Sequence, residues 1–576
     1  MNRMAMTILS GLLLAFCGLA YGPSGEALPP ASVKSVAGSA KPIPVPPPPM
    51  GWSSWNSFSN TIDSNVAMQQ AKALVASGMQ KAGYQYVNLD EGWWLGKRDQ
   101  NGNIVVDPKQ WPALRPGERA GDMANIVKYI HSLGLKAGIY TDAGEAGCGY
   151  YGPDLGPPEP HTGSEGHYEQ DFFQFAKWGF DYVKVDWCGG DHENLDPAVQ
   201  YREIAWAIQK AEAETGHHLF FSICNWGRQS PWTWAPGIGG VSGDIWRVSG
   251  DIVAPIVANT RSGSRRASFP HVLSNFDHGI HPEAQHTGFY NDPDMMVIGM
   301  PSLSDAQNRV HMSLWAISGA PLIVGADLTK LSKATLETLT NREVLAVDQD
   351  PLGLQCVKVA EPSAGLQAWA KRLAGSGRWA VLLLNRTTTS ASISVYWSEL
   401  GLPPSSSATV RDLWAHKDLG PYTSSYAANV PAGDAVMVLI KGAEGKTTRF
   451  AVSSPANEMT GGAALASCEA CSDGKSVTLG GNKTFTFRDI TSAGSHADIQ
   501  IAYINTGQTP RCAELRVNGQ TATRIAFPPT GGRNSVGEIT IEADLKPSGA
   551  KNSLTFSSPC NPGPTLDSIS ILAGSL

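Results

Sequence analysis

From about residue 49 to residue 350, short apolar runs recur between amphipathic segments, and this recurrence limits the folds open to the chain more than any other feature. The runs are YQYVNLD (84–90), GLKAGIYTD (134–142), DYVKVDW (181–187), HLFFSIC (218–224), DIWRVSG (244–250), DMMVIG (294–299) and PLIVGAD (321–327). Each is short enough for a strand. Segments such as NVAMQQAKALVASGMQKAG and MANIVKYIHSLG carry a helical period and close on glycine. With MGWSSWNSF as a first strand, eight strand–helix units result. Alternating units build a parallel sheet, so the expected class is α/β with a (β/α)8 TIM barrel over 49–350, an open doubly wound sheet being the alternative.

Beyond that region the helical period disappears. LQAWAKRL, RWAVLLLN, ASISVYW and DAVMVLIKG, separated by Gly, Pro and Ser turns, predict an antiparallel β-sandwich domain over 351–444. Residues 448–576 are again turn-rich and predict a second β-sandwich. At the other end, Arg3, an apolar stretch of roughly fifteen residues and Gly18-Leu19-Ala20 predict a secretory signal over 1–20. The stretch is shorter than the ~20 residues of a membrane-spanning helix. Cys17 leaves lipidation as an alternative, although bulky Phe16 stands where a lipoprotein site has a small residue. Residues 21–48 form a Pro/Ser-rich linker. A secreted or periplasmic location makes disulfides available to the other eight of the nine cysteines. Cys148 and Cys188 follow two expected strands, Cys468 and Cys471 are neighbours, and Cys512 and Cys560 share one region; sequence alone does not fix the pairing. A net charge of −7 without long runs of one sign gives no reason to expect a nucleic-acid partner.

Within DYVKVDW, strand alternation puts Tyr182, Lys184 and Asp186 on one face and Val183 and Val185 on the other. In a barrel the valines pack under helices, and Asp186 reaches the C-terminal mouth, where such barrels carry their active sites. A lysine roughly 6–7 Å of backbone away favours an ionised carboxylate, as a nucleophile requires. DIWRVSGD supplies a second mouth-side acid, Asp251, after Arg247 and Ser249. Two carboxylates, an arginine and several tryptophans suit glycosidic bond cleavage.

The blocks GWSSWNSF, AGYQYVNLDEGWW, GLKAGIYTDAGEAGC, FAKWGFDYVKVDWC, FSICNWG, WRVSGDI and NDPDMMVIG, in that order, make the chain from about 49 to 442 resemble the family 27 glycoside hydrolases, which include the α-galactosidases. The resemblance implies a secreted, retaining exo-glycosidase that removes terminal α-D-galactosyl groups. It implies Asp186 as nucleophile, Asp251 as acid/base with a raised pKa, and a disulfide between Cys148 and Cys188. It maps sugar contacts onto Trp55, Asp90, Tyr140, Cys148, Lys184, Cys224, Trp226, Arg247, Asp294 and Met295. No cofactor or metal is expected for catalysis. His278, His281 and His286 invite a metal reading, but Pro282 breaks any helix that would align them.

Two departures bear on substrate. Asp90-Glu91 replaces the usual Asp-Asp, and one extra methylene near C6 would crowd a hydroxymethyl group, which raises β-L-arabinopyranosidase or dual activity. Galactose- and arabinopyranose-bearing oligo- and polysaccharides are therefore both expected partners. CNWG replaces CEWG, and Asn225 brings in α-N-acetylgalactosaminidase as a lesser alternative. A non-catalytic sugar-binding barrel is the reading from another class, and the presence of both Asp186 and Asp251 argues against it. Residues 448–576 resemble carbohydrate-binding modules of families 35 and 6, except that Arg533 and Val536 stand where stacking aromatics are usual. Such modules often hold calcium, and Glu458 and Asp567 are its conceivable ligands here.

Overall fold

The computed structural model describes residues 46–151, 162–236, 243–252, 268–443, 447–547 and 549–572. The signal, Cys17 and nearly all of the linker lie outside the described residues. In the first part of the chain the strands are β1 (Met50–Ser53), β2 (Tyr86–Asn88), β3 (Trp94–Arg98), β4 (Ile104–Val106), β5 (Lys136–Asp142), β6 (Tyr182–Asp186), β7 (Phe220–Cys224), β8 (Ile245–Arg247), β9 (Tyr290–Asp292) and β10 (Leu322–Val324). Eight of them form a curled parallel sheet in the order β10-β1-β2-β5-β6-β7-β8-β9, while β3 and β4 make a separate hairpin. Across the remaining gap, Met296 bridges Val324, and its N–H donates to the Ile323 carbonyl at 2.6 Å. The arrangement is the expected TIM-like one.

One strand is displaced from its expected place. The seventh barrel strand was expected at 294–299, but β9 occupies Tyr290–Asp292 and only Met296 of that run makes a bridge. Pro293 has no N–H to give a ladder, and Asp294 takes φ +104°, so the chain cannot stay extended through this point. The hairpin β3–β4 was not anticipated. The helices follow their local signals: Ser64–Ala76 is capped by Asp63, whose carboxylate accepts the Val66 N–H at 2.8 Å, and it buries Ala67, Ala71 and Leu74. Gly78, at φ +84°, ends it.

Inside the barrel the N-terminal end is closed by Tyr86, Tyr182, Phe220, Ile245 and Tyr290, a small apolar cluster of its own. Tyr182 and Phe220 stack with ring centroids 5.4 Å apart and planes at 7°. Above this plug the sheet register aligns Tyr140, Lys184 and Ser222 in one row and Asp142, Asp186 and Cys224 in the next.

The second domain places Leu366–Arg372, Arg378–Asn385 and Ala435–Lys441 in one antiparallel sheet with three other strands, and pairs Ala391–Tyr396 with Ser425–Val430. The last module is a two-sheet sandwich closed over Phe485, Phe487, Ile499, Ile501, Phe527, Phe556 and Ile569. A buried ion pair, Arg372 Nε to Asp498 Oδ2 at 2.6 Å, ties it to the second domain. Disulfides join Cys148 to Cys188, Cys468 to Cys471 and Cys512 to Cys560, and Cys224 and Cys356 are free and buried.

Candidate active site

The C-terminal ends of the barrel strands surround a depression of about 450 Å³. Six expected residues line it, Asp90, Lys184, Cys224, Arg247, Asp294 and Met295, together with Ser53, Asn88, Ser222 and Asp292, which the sequence reading had not singled out. Asp292 is the first acid of NDPD and Asn88 lies two residues before Asp90. Their inward positions follow from strand alternation, and that was the available signal.

Lys184 is the hub of one side. Its Nζ donates to Asp90 Oδ2 at 3.0 Å and lies 3.7 Å from Asp186 Oδ2. Burial works against its charge, but Asp90 and its anionic neighbours hold the ammonium well above its ordinary pKa. The lysine thus hydrogen-bonds Asp90 while its charge also favours the ionised form of Asp186. Asp186 is buried, with 5% of its surface exposed, and accepts the Trp187 N–H at 3.0 Å. Burial raises its pKa above the usual carboxylate value, Lys184 opposes the rise, and Asp251 and Asp90 add to it.

Arg247 organises the other side. It reaches Asp251 at 3.0 Å, Asp294 at 3.1 Å and the Ser249 carbonyl at 3.0 Å, with Cys224 Sγ at 3.6 Å. Asp294 also accepts the N–H groups of Ile252 and Met295, both at 2.8 Å. Burial pushes it up to about 7 against the opposing arginine. The Asp251 side chain, half exposed, is the least covered carboxylate of the group. Residues 253–267, which follow it, lie outside the described residues.

The remaining expected residues stand around this depression without lining it. Trp55 begins the short helix Trp55–Phe58 after β1 and is half-buried. Tyr140 is buried, with Lys184 Nζ 5.1 Å from its ring centroid. Trp226 takes φ +54°, uncommon for a bulky residue, and Gly227 follows at +81° with a Cβ position only 2.4 Å from the Val248 carbonyl oxygen. Asn225 turns into its own loop, donating to the Arg228 carbonyl at 2.8 Å. Glu91 was expected against the sugar. Instead its two oxygens accept the Gly149 N–H at 2.8 and 2.9 Å, and burial, opposed by that bond and reinforced by Asp186, Asp90 and Asp142, raises it to about 8.

Asp142, which ends β5, escaped the sequence reading although it shares a strand face with Tyr140. It is fully buried, accepts N–H groups from Gly144, Cys188 and Gly189 at 2.8–3.0 Å, and lies in register with Asp186. A Cβ on Gly144 would come within 2.3 Å of the Gly189 backbone, so glycine permits the close approach that brings Cys148 to Cys188. Among the described residues, the one group of potential metal ligands is Asp142, Cys148, Asp186 and Cys188, and its two sulfurs are joined as a disulfide. The three histidines do not converge: His281 stacks on Trp232 at 3.6 Å, His278 bonds the Ser274 carbonyl, and His286 is buried beside Phe289. In the last module Glu458 pairs with Arg488, whereas Asp567, on the opposite sheet, accepts from Ser472 in a turn. No helix of the described residues is long and apolar enough to cross a membrane.

Residues 47–350 match the family described as alpha galactosidase A, residues 363–440 the alpha galactosidase C-terminal beta sandwich domain, and residues 483–571 an alpha-galactosidase CBM13 domain. The module's description thus differs in family number from the expected 35 and 6, while the sandwich itself is as expected. A probable alpha-galactosidase of Dictyostelium discoideum is 37% identical over 401 residues, 68% of this chain and 92% of its own. An alpha-galactosidase of Oryza sativa is 39% identical over 381 residues, 66% of this chain and 80% of its own. The crystal structure of alpha-galactosidase I from Mortierella vinacea superposes with a TM-score of 0.59 at 29% identity, covering 69% of this chain and 97% of that one. With a matching barrel, a matching second domain and these relatives, the chain belongs to the α-galactosidase family of glycoside hydrolases.

Proposed function

We propose that the enzyme is an exported, retaining exo-α-galactosidase in which Asp186 is the nucleophile and Asp251 the acid/base. The observation that carries this reading is the inequality of the two acids. Asp186 is buried and fixed by Trp187 N–H beside Lys184, whereas Asp251 is half exposed, where a leaving group and then water can reach it. In the first step an Asp186 oxygen bonds C1 as the C1–O bond breaks, and Asp251 gives its proton to the departing oxygen. In the second, water loses a proton to Asp251 while its oxygen bonds C1 and displaces Asp186. Retention requires the carboxyls to stand about 5–5.5 Å apart. Sugar binding must also loosen the Arg247–Asp251 contact, so that Asp251 can carry the proton. Three disulfides and the N-terminal signal pattern support export to an oxidising compartment.

Proton NMR of the first product formed tests the mechanism: α-galactose before mutarotation is expected, and β-galactose would overturn it. Glu91 spends its carboxylate on Gly149, which supports a galactoside over a β-L-arabinopyranoside. The ratio of kcat/KM for the two nitrophenyl glycosides should favour the galactoside. A ratio favouring the arabinoside would reverse that choice.

A further inference from the structure

Helix Pro197–Thr215 follows β6 and so starts on the mouth side of the barrel. Trp206 stands nine residues along it, roughly 14 Å down the flank at 1.5 Å per residue, with half its surface exposed. Across from it, module residues 507–511 and 559–562 complete a groove of about 1120 Å³ between the barrel and the last sandwich. Among the described residues, the lining contains three arginines, Arg202, Arg511 and Arg524, and no carboxylate.

The arginines differ in how far they are already satisfied. Arg524 leans on Glu514 at 3.6 Å. Among the described residues, Arg511 donates to neutral oxygens only, the Gly563 carbonyl at 3.1 Å and Thr506 Oγ1 at 3.3 Å. Arg202 holds its guanidinium 5.6 Å from the Trp206 ring centroid and has a buried Nε with no hydrogen-bond partner among the described residues. The groove therefore joins an exposed flat indole to two cations that, among the described residues, lack an anionic partner, with Gln209 and Asn561 adding amides.

We propose that this groove binds a strand of acidic polysaccharide, with a pyranose face on Trp206 and uronate carboxylates on Arg202 and Arg511. An indole offers an apolar plane to the C–H face of a sugar, and a guanidinium matches a carboxylate in two parallel hydrogen bonds. A net charge of −7 and the absence of an extended basic tract argue against nucleic acid as the occupant. The groove lies outside the barrel mouth, so it would hold a long substrate or its cell-wall surroundings without touching the reacting bond. The inference does not rest on the catalytic assignment.

Isothermal titration calorimetry of the full chain with oligogalacturonate and with a neutral mannan oligomer provides the test. Oligogalacturonate is expected to bind, and Trp206→Ala and Arg511→Gln should each weaken it about tenfold or more. Raising salt from about 0.05 M to about 0.5 M should weaken it further, because exposed charge pairs are screened. Trp206→Phe, which keeps a ring, should retain most of the affinity, and nitrophenyl galactoside turnover should be unchanged in all three variants. No binding of oligogalacturonate, equal affinity for the neutral oligomer, or affinity indifferent to both Trp206→Ala and Arg511→Gln would overturn the proposal.

Discussion

Strand β6 carries Tyr182 at one end of its inward face and Asp186 at the other, and the two ends of the barrel differ as those residues do. At the bottom, Tyr86, Tyr182, Phe220, Ile245 and Tyr290 fill the interior by contact. At the mouth, Lys184 and Arg247 each hold two carboxylates, Asp90 with Asp186 and Asp251 with Asp294. Burial costs the plug far less than it costs the mouth, since buried charge is tolerated only where it is paired and hydrogen-bonded. One end thus carries stability, while the other spends it on fixed charges that can act in a reaction.

The sharpest way to break this division is to remove a charge. Asp186→Asn should lower kcat by on the order of 10⁴-fold or more with Tm little changed or raised, as measured by steady-state kinetics and calorimetry. Full activity would end the assignment. Phe220→Ala tests the other end: loss of a buried phenyl should cost about 3–5 kcal/mol in denaturant unfolding, and kcat at a temperature where the variant is folded should stay within a fewfold. A large kcat loss there would show that the plug and the mouth are not separable.

A smaller effect is expected from Lys184→Met. The lysine opposes the burial-driven rise of Asp186, so without it the carboxyl titrates higher and the acid limb of the kcat/KM profile should move to higher pH. An unmoved limb would mean that Lys184 serves Asp90 alone. The smallest effect concerns Glu91. Folded, its carboxyl is raised from the model-peptide value of 4.5 to about 8, so across that interval the folded chain keeps a proton that the unfolded chain has released. Its contribution to stability is present below about 4.5 and is lost as pH rises toward 8. Glu91→Gln keeps a carbonyl for the Gly149 N–H and removes this slope. The Tm gap in favour of the variant should be smallest near pH 4.5 and largest above pH 8, and a gap independent of pH would refute the burial account.

How legible these features were depended on range. Strand alternation put Lys184 and Asp186 on one inward face, and the glycine-closed helices were visible from their periods, because both follow from neighbours along the chain. The seventh strand was misplaced because MMVIG has the composition of a strand, whereas Pro293 and the positive φ of Asp294 decide where the ladder stops. Asp142 was missed because its significance comes from Gly144 and Gly189 allowing two loops to touch. The partner of Glu91 was not legible, because the side chain bonds Gly149, 58 residues further along the chain, and no local pattern joins the two.

By itself the sequence determined the barrel, the two β domains after it, the family and the acids at the mouth, since periodicity and ordered blocks are properties of the chain read in line. Only the tertiary structure decided which acid each cation serves, where Glu91 and Asn225 point, and that a module groove faces Trp206. Those outcomes are set by distances between groups far apart in sequence, where a shift of an ångström or two exchanges one hydrogen-bond partner for another.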